Sequence, residues 1–220
     1  MKVRLIAASI LAITISSGVL GLENYISSQI ASGVKKEIPN ASDVSASIPL
    51  ANLARDVFSD SIKLANIEIG KYPLRESNTE SSVKISAGNI SKSKPTVIGS
   101  LGVIVTIPVS TITQASEFGD AQVVGNALQV AVGAGGLGKA LLIPRYSNNQ
   151  LYFELKSVSL FDSEIPGSSL PANLQAQIKT RSQRSLTPPK GLRVKSVSLS
   201  SKGLSVEMTG SNIQVSNLGF

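Results

Sequence analysis

The stretch from residue 187 to residue 215, TPPKGLRVKSVSLSSKGLSVEMTGSNIQV, carries the clearest fold pattern in this chain of 220 residues. Apolar side chains recur along residues 194–199 and again along residues 204–208, with Ser-Lys-Gly between the two runs. Such alternation is typical of a strand with one buried face, and a short turn between two such runs predicts a β-hairpin. The end of the chain is therefore expected to be an antiparallel pair of strands.

Alternating apolar and polar residues also predict strands further upstream. Five more runs show the pattern, at residues 44–48, 62–69, 83–87, 128–132 and 151–155. Within the second run the alternation changes phase near Ala65 and Asn66, which predicts a β-bulge there. The composition is rich in small and β-branched residues, which favour strands over long helices.

Apolar residues at four-residue spacing predict three short helices, over residues 22–38, 49–60 and 170–186. The apolar stripe of the third helix contains Leu170, Leu174 and Ile178. No linker rich in Pro or Gly separates these segments. We therefore expect an α+β fold of antiparallel strands and a few helices, in which residues 23–220 form one domain.

The N-terminus has the composition of an export segment. Lys2 and Arg4 precede residues 5–22, LIAASILAITISSGVLGL, which carry no charge. A basic region followed by an apolar region is typical of a secretory signal peptide, and the apolar length also approaches the about 20 residues that span a bilayer. Residues 1–22 are therefore predicted to be a signal peptide or a membrane anchor. Either one implies an exported protein of the periplasm or cell envelope, at the outer face of the plasma membrane.

The composition excludes several kinds of chemistry. The chain has no Cys and no His, so it cannot form a disulfide, a Cys or His metal site, or a Ser-His-Asp triad. A hydrolase or transferase using Ser or carboxylates would need convergent polar groups, which the sequence does not show. Asp56 and Asp60 lie four residues apart on a predicted helix, and a solvated face is expected for both. We expect a protein that is not an enzyme and needs no metal or cofactor.

The glycine-rich stretch QVAVGAGGLGKALLIP resembles two nucleotide-binding motifs. Gly133, Gly135 and Gly138 fit the dinucleotide fingerprint G-x-G-x-x-G. That fingerprint requires a helix that opens at its last Gly, but Pro144 follows only six residues after Gly138. The phosphate loop requires Ser or Thr at the position of Ala140. The stretch is therefore predicted to be the loop of a hairpin, with no nucleotide as partner.

Basic residues cluster near the C-terminus. Six of them lie within 17 residues that contain no acidic residue: Lys179, Arg181, Arg184, Lys190, Arg193 and Lys195. The whole chain has 21 Lys and Arg against 14 Asp and Glu, a net charge of +7. In an exported protein a basic surface indicates anionic lipid or wall polymer as partner, rather than nucleic acid. The cluster is either a solvated basic face or a contact for anionic head groups.

The C-terminal stretch also resembles a known family. Between Pro189 and Asn212, a Pro is followed by Gly-Leu-Arg-Val, an alternating strand, a short turn with Gly-Leu and a closing strand. This order is similar to the C-terminal signature of the LmeA-like phospholipid-binding proteins of the actinobacterial cell envelope. The upstream order agrees: an export segment, a strand, a short helix led by Pro49, further strands and a helix before the signature.

The resemblance implies a strongly curved antiparallel sheet wrapped around helices, similar to tubular lipid-binding domains, with an apolar cavity for acyl chains. It also implies a role in the handling of envelope lipids or lipoglycans, without catalysis. We therefore expect the protein to bind an anionic phospholipid or glycolipid in an apolar groove, close to the membrane surface.

Two sets of residues are predicted to contact this lipid. The acyl-chain contacts are expected to be Ile26, Ile30, Val34, Leu50, Leu53, Val57 and Phe58. The head-group contacts are expected to be Arg181, Arg184, Lys190 and Arg193. Each apolar position fits a filled core as well as a groove. The alternative function is a non-catalytic envelope protein whose basic face binds wall polymer or a protein partner.

Overall fold

The chain folds into two sheets of mostly antiparallel strands with few helices. A computed structural model describes residues 28, 31–35, 41–49, 56, 59–73, 80–115, 121–132, 138–160 and 163–214. The strands are β1 (Ser42–Ser47), β2 (Ser61–Pro73), β3 (Glu80–Ser91), β4 (Val97–Ile107), β5 (Ala121–Val124), β6 (Ala127–Val132), β7 (Gly138–Ser147), β8 (Gln150–Leu160), β9 (Ser163–Pro166), β10 (Arg184–Ser185), β11 (Arg193–Ser200) and β12 (Gly203–Gln214). The helices are α1 (Val109–Ala115) and α2 (Ala172–Ser182), with a 3-10 turn at Gly167–Ser169 and helical residues at 31–35.

The strands are ordered β1-β2-β3-β4-β12-β11 in the first sheet and β10-β8-β7-β6-β5 in the second, where β9 also pairs with β8. The sequential pairs β1–β2, β2–β3, β5–β6, β6–β7, β7–β8 and β8–β9 are all antiparallel. Because antiparallel neighbours need only short turns, the chain can build both sheets largely from consecutive strands. The prediction of a largely antiparallel fold with few short helices is confirmed.

The described chain divides into two compact units. The first contains described residues from 28–105, 188–195 and 207–214, and the second contains those from 106–187 and 196–206. Strands β4, β11 and β12 contribute residues to both units. The assignment of residues 23–220 to a single domain stays a prediction.

The predicted signal peptide or anchor, residues 1–22, lies outside the described residues. Within the part of the chain that the structure describes, no helix has the length and apolar character needed to cross a bilayer.

The core of the first unit is built from aliphatic side chains on paired strands. Ile69 of β2 lies directly opposite Val83 of β3, and both side chains are fully buried. Ile67 lies opposite Ile85 in the same way. Exposed Lys84 stands between the two buried β3 residues, as the period of two requires. Cross-strand pairs of β-branched residues are the stabilising unit of such a sheet.

The β-bulge predicted near Ala65 and Asn66 lies elsewhere. Strands β2 and β3 keep one register through both of these residues, and the irregularity falls between Ile69 and Tyr72. Burial does change phase at Ala65, but β3 changes phase at the opposite position, so that no extra residue is needed. The phase change predicted from the sequence is present, but no β-bulge at Ala65 and Asn66 causes it.

The second unit has its own apolar core on one face of β6, β7 and β8. Leu128 lies opposite Leu142, and Leu142 lies opposite Leu155 across the next pair of strands. The buried cluster consists of Ile112, Leu128, Val130, Ala140, Leu142, Phe153, Leu155, Leu199 and Leu204. Leu170 and Ile178 are half-buried against this cluster, so α2 packs on the unit through part of its predicted stripe.

The glycine-rich stretch connects two antiparallel strands, as predicted. Val132 at the end of β6 lies opposite Gly138 at the start of β7, which makes residues 133–137 a hairpin connection. Gly138 opens a strand at the position where the dinucleotide fingerprint requires a helix N-terminus. The glycine pattern therefore lacks the strand-helix-strand unit in which it binds nucleotides.

Strand β8 is covered along the edge that faces away from β7. Strand β9 pairs with residues 157–160, Ser182 binds the backbone of Phe153, and β10 pairs with the start of the strand. Between them, Gly167 comes so close that a Cβ there would overlap the carbonyl oxygen of Leu155. Segment 163–185 therefore follows β8 along its whole length and supplies α2 on the way.

The terminal hairpin predicted from residues 187–215 is confirmed. Strands β11 and β12 are neighbours joined by a two-residue turn at Ser201 and Lys202. Gly203, which follows the turn, has φ 129°, a conformation that costs little only for Gly. A Cβ on Gly203 would also overlap the carbonyl oxygen of Ile107. The Gly of the Ser-Lys-Gly turn is therefore required by both conformation and space.

Candidate functional site

The four predicted head-group residues are all exposed, and they divide between the two units. Arg181 in the last turn of α2 and Arg184 in β10 belong to the second unit. Lys190 and Arg193 belong to the first unit, where Arg193 opens β11. The structure thus forms two basic pairs, one in each unit.

Helix α2 is fixed at its C-terminal end by a buried hydroxyl. Ser182 Oγ accepts a hydrogen bond from the backbone amide of Phe153 at 2.9 Å and donates to the carbonyl of Ile178 at 2.7 Å. Ser182 is only 8% exposed. Because a buried amide without a partner is costly, this contact ties the position of α2 to the backbone of β8.

A second contact fixes the N-terminal half of α2. The side-chain amide of Gln175 donates to the carbonyl oxygens of Gly167, at 2.8 Å, and Leu170, at 3.3 Å. These carbonyls belong to the 3-10 turn and the residue that follows it. Together with Ser182, Gln175 holds both halves of the helix, so that the basic residues of its last turn have a defined position.

Arg184 binds the C-terminal end of α2. Its Nη1 donates to the carbonyl oxygens of Gln183 at 2.9 Å and Arg181 at 3.1 Å. A guanidinium beside the last carbonyls of a helix compensates their partial negative charge. Arg184 therefore has a structural role, and it also adds positive charge beside the exposed side chain of Arg181.

Lys179 extends this basic surface on the other side of α2. Its Nζ lies 4.6 Å from the centre of the Tyr152 ring, a cation–π contact that connects α2 to β8. The aromatic ring gives the lysine a preferred position without neutralising its charge. The sequence did not predict this contact, because it depends on which residue of β8 lies under the helix.

In the first unit, Lys190 stands on a turn with a buried base. The Leu192 amide donates to the Pro189 carbonyl at 3.0 Å, and the side chains of both residues are buried. Lys190 and Arg193, beside these apolar residues, are exposed. The buried neighbours fix the turn and direct two positive side chains towards solvent.

Three of the predicted head-group residues differ from the cations of the described ion pairs, Lys71, Lys84, Arg145 and Lys195, in having no described carboxylate beside them. Within the part of the chain that the structure describes, Arg181, Lys190 and Arg193 make no ion pair. Lys195 in the same basic cluster does make one, with Glu207 at 2.8 Å. The cluster therefore contains both neutralised and unneutralised positive charge, and the predicted residues provide the latter.

Of the predicted acyl-chain contacts, the structure describes one. Val34 is helical and fully buried in the first unit. The others lie outside the described residues: Ile26, Ile30, Leu50, Leu53, Val57 and Phe58. The burial of Val34 fits the predicted apolar face of its helix and is compatible with either a groove or a filled core.

Asp56 departs from its expected place on a solvated face. Asp56 is 5% exposed, whereas Asp60 is exposed as expected. Its Oδ2 accepts a hydrogen bond from the Lys63 amide at 3.0 Å, and its backbone carbonyl accepts one from Lys92 Nζ at 2.5 Å. Among the described residues, the buried Asp56 Oδ1 atom has no hydrogen-bond partner. Asp56 thus joins the segment before β2 to the start of that strand.

Among the described residues, no group of three His, Cys, Asp or Glu side chains is arranged to hold a metal ion. Comparison with known proteins gives no match: no family model, no curated protein and no solved structure is detectably similar to the chain.

Proposed function

We propose that this protein is an exported protein of the cell envelope that binds an anionic phospholipid or glycolipid. The observation that carries the proposal is the charge distribution of residues 165–206, which include seven Lys and Arg and no Asp or Glu. Arg181, Lys190 and Arg193 from this segment are exposed and make no ion pair with a described carboxylate. Unneutralised Arg and Lys side chains are the groups that bind phosphate.

The apolar part of the proposed site is assigned to the helices predicted before β1 and before β2. Val34, buried in the first unit, is its described member. Each methylene group that leaves water contributes about 0.8 kcal/mol, so an acyl chain needs only an apolar surface of sufficient length. A strongly curved sheet wrapped around these helices, as in tubular lipid-binding domains, would provide one. The resemblance of residues 189–212 to the LmeA-like family supports this arrangement.

The proposal contains no catalytic step. The chain has neither His nor Cys, and its one buried carboxylate described here, Asp56, is bonded to the backbone of Lys63. The proposed role is to bind an envelope lipid or lipoglycan and to present or carry it at the outer face of the plasma membrane. The predicted export segment, residues 1–22, supports that location.

The test is native mass spectrometry of the full-length chain, purified in mild detergent from an actinobacterial host, followed by extraction and identification of bound lipid. We expect one anionic lipid per chain. A triple variant with Arg181→Gln, Lys190→Gln and Arg193→Gln should lose most of it. The control variant has Lys63→Gln, Lys139→Gln and Lys156→Gln, which removes the same charge from exposed lysines outside the acid-free segment.

The outcomes separate lipid binding from its alternative. Lipid retained by the control and lost by the triple variant supports the proposal. A chain that carries no lipid, even after incubation with phosphatidylglycerol, overturns it. Salt-sensitive binding of purified wall polymer by that lipid-free chain, lost in the triple variant, would then favour the function of a polymer-binding envelope protein.

A further inference from the structure

Helix α2 leaves a large apolar side chain in solvent. Leu174 is 42% exposed, although Leu170 and Ile178 of the same predicted stripe are half-buried against the core of the second unit. Gln175 and Ser182 hold the helix against β8, so its orientation is defined at both ends. Leu174 is therefore exposed on a helix that is fixed in place.

Arg181 lies on the same side of α2 as Leu174. The two residues are seven positions apart, which is about two helical turns and about 10 Å along the axis. Gln177 between them is exposed and uncharged. The exposed side of α2 thus begins with a leucine and ends with an arginine, beside Arg184.

Carboxylates are absent from the sequence around this surface. No residue between 165 and 206 is Asp or Glu, and this range includes the whole of α2. Lys and Arg side chains near an anionic membrane surface are attracted to it, and an apolar side chain beside them can enter the head-group layer.

We propose that this side of α2 docks on the surface of an anionic bilayer. Leu174 enters the layer of head groups, and Arg181 binds lipid phosphates at the more polar end of the helix. Arg184 adds to the attraction, since each basic residue near an anionic surface strengthens binding about fivefold. The inference rests on the proposed function only in assigning anionic lipid as partner, since it concerns the bilayer and not a bound lipid molecule.

The absence of Trp from the chain makes the proposal directly testable. The variant Leu174→Trp of the full-length chain carries a single indole at the centre of the proposed contact. The chain is reconstituted in nanodiscs of phosphatidylglycerol or of phosphatidylcholine. We expect the emission to shift to shorter wavelength and to be quenched by brominated acyl chains in the anionic discs, and to do neither in the neutral discs.

Two matched variants serve as controls. Val124 of β5 is 46% exposed in the same unit and lies outside the acid-free segment, so Val124→Trp should report solvent in both kinds of disc. Adding Arg181→Gln to Leu174→Trp should reduce the quenching in anionic discs, whereas adding Lys139→Gln should leave it unchanged. Circular dichroism establishes that each variant keeps the fold.

Equal emission of Leu174→Trp in the two kinds of disc overturns the proposal, as does an equal shift for Val124→Trp. Hydrogen exchange of the unsubstituted chain provides a second measurement, in which the α2 amides should be protected by anionic discs alone. A chain that carries lipid but keeps α2 in solvent contradicts only this inference. Contact of α2 with the bilayer and no bound lipid contradicts only the proposed function.

Discussion

The β2–β3 strand pair and the acid-free segment, residues 165–206, differ in how many of their positive charges are neutralised. On β2 and β3, Lys84 lies directly opposite Glu68 with 2.8 Å between their charged atoms, and Lys71 lies 3.3 Å from Glu80. In the acid-free segment, Arg181 makes no ion pair with a described residue. The comparison teaches that the placement of carboxylates, more than that of Lys and Arg, decides where the surface is positive.

The ion pairs of β2 and β3 contribute little to stability. All four side chains of the β2–β3 ion pairs are more than half exposed, and exposed pairs contribute about 0–1 kcal/mol each. Their main effect is to cancel the field of each lysine within a few ångströms. Positive potential therefore remains where the sequence omits Asp and Glu, and an anionic partner would be attracted to that part of the surface.

The largest effect is expected from releasing α2. Ser182→Ala removes the hydroxyl that binds the backbone of Phe153, and loss of a partner for a buried amide costs about 1–3 kcal/mol. The free energy of unfolding, measured by urea titration, should fall by that amount. Exposed Ser185 on β10 provides the matched control, and Ser185→Ala should change stability by no more than about 0.5 kcal/mol. An equal loss in both variants would show that Ser182 does not anchor the helix.

A smaller effect is expected from giving the acid-free segment a carboxylate. Gln177→Glu places an acidic residue four positions before Arg181, which is the favourable order for an ion pair on a helix. Stability should rise by about 0.2–0.5 kcal/mol. Binding of short-chain phosphatidylglycerol, titrated by native mass spectrometry, should weaken about fivefold as one basic residue is neutralised.

The same acidic substitution outside the segment is the control for that result. Gln122 is exposed on β5, and Gln122→Glu should leave lipid binding unchanged. Equal weakening by the two substitutions would mean that only the net charge of the protein matters. The comparison between the two regions would then lose its functional meaning.

The smallest effect is expected in the paired region. A double-mutant cycle with Glu68→Ala and Lys84→Ala should give a coupling of about 0.2–1 kcal/mol, which decreases as salt is added. Thermal unfolding of the four proteins at two salt concentrations measures this coupling. A coupling above about 2 kcal/mol would show that the pair stabilises the sheet, in addition to cancelling charge.

Much of the fold could be predicted because strand patterns are local. The alternation of residues 128–132 and the position of Pro144 were sufficient to predict a hairpin, and β6 and β7 pair as expected. The terminal hairpin followed from alternation on both sides of a Ser-Lys-Gly turn, and Gly203 has the conformation that such a turn requires. Each of these features depends on residues that are close in sequence.

The details of the candidate site depend on contacts between distant residues, which the sequence does not display. A stripe at four-residue spacing predicted α2, but it could not show that Leu174 would be the exposed member. Asp56 was expected in solvent because its helix was considered without the strand beside it, whose Lys63 amide binds the carboxylate. The pairing of Lys84 with Glu68 is set by the register of β2 and β3, which brings together two residues that lie 16 positions apart in the sequence.

The cover along β8 has a consequence for how the molecule behaves in a crowded solution. An open strand edge offers unpaired amides and carbonyls to any other chain, and sheets that grow in this way form aggregates. Here segment 163–185 occupies that edge with β9, Ser182 and β10, and the opposite end of the sheet is the four-residue strand β5. Neither end of the second sheet offers a long template, so folded molecules should not associate through the edges of this sheet.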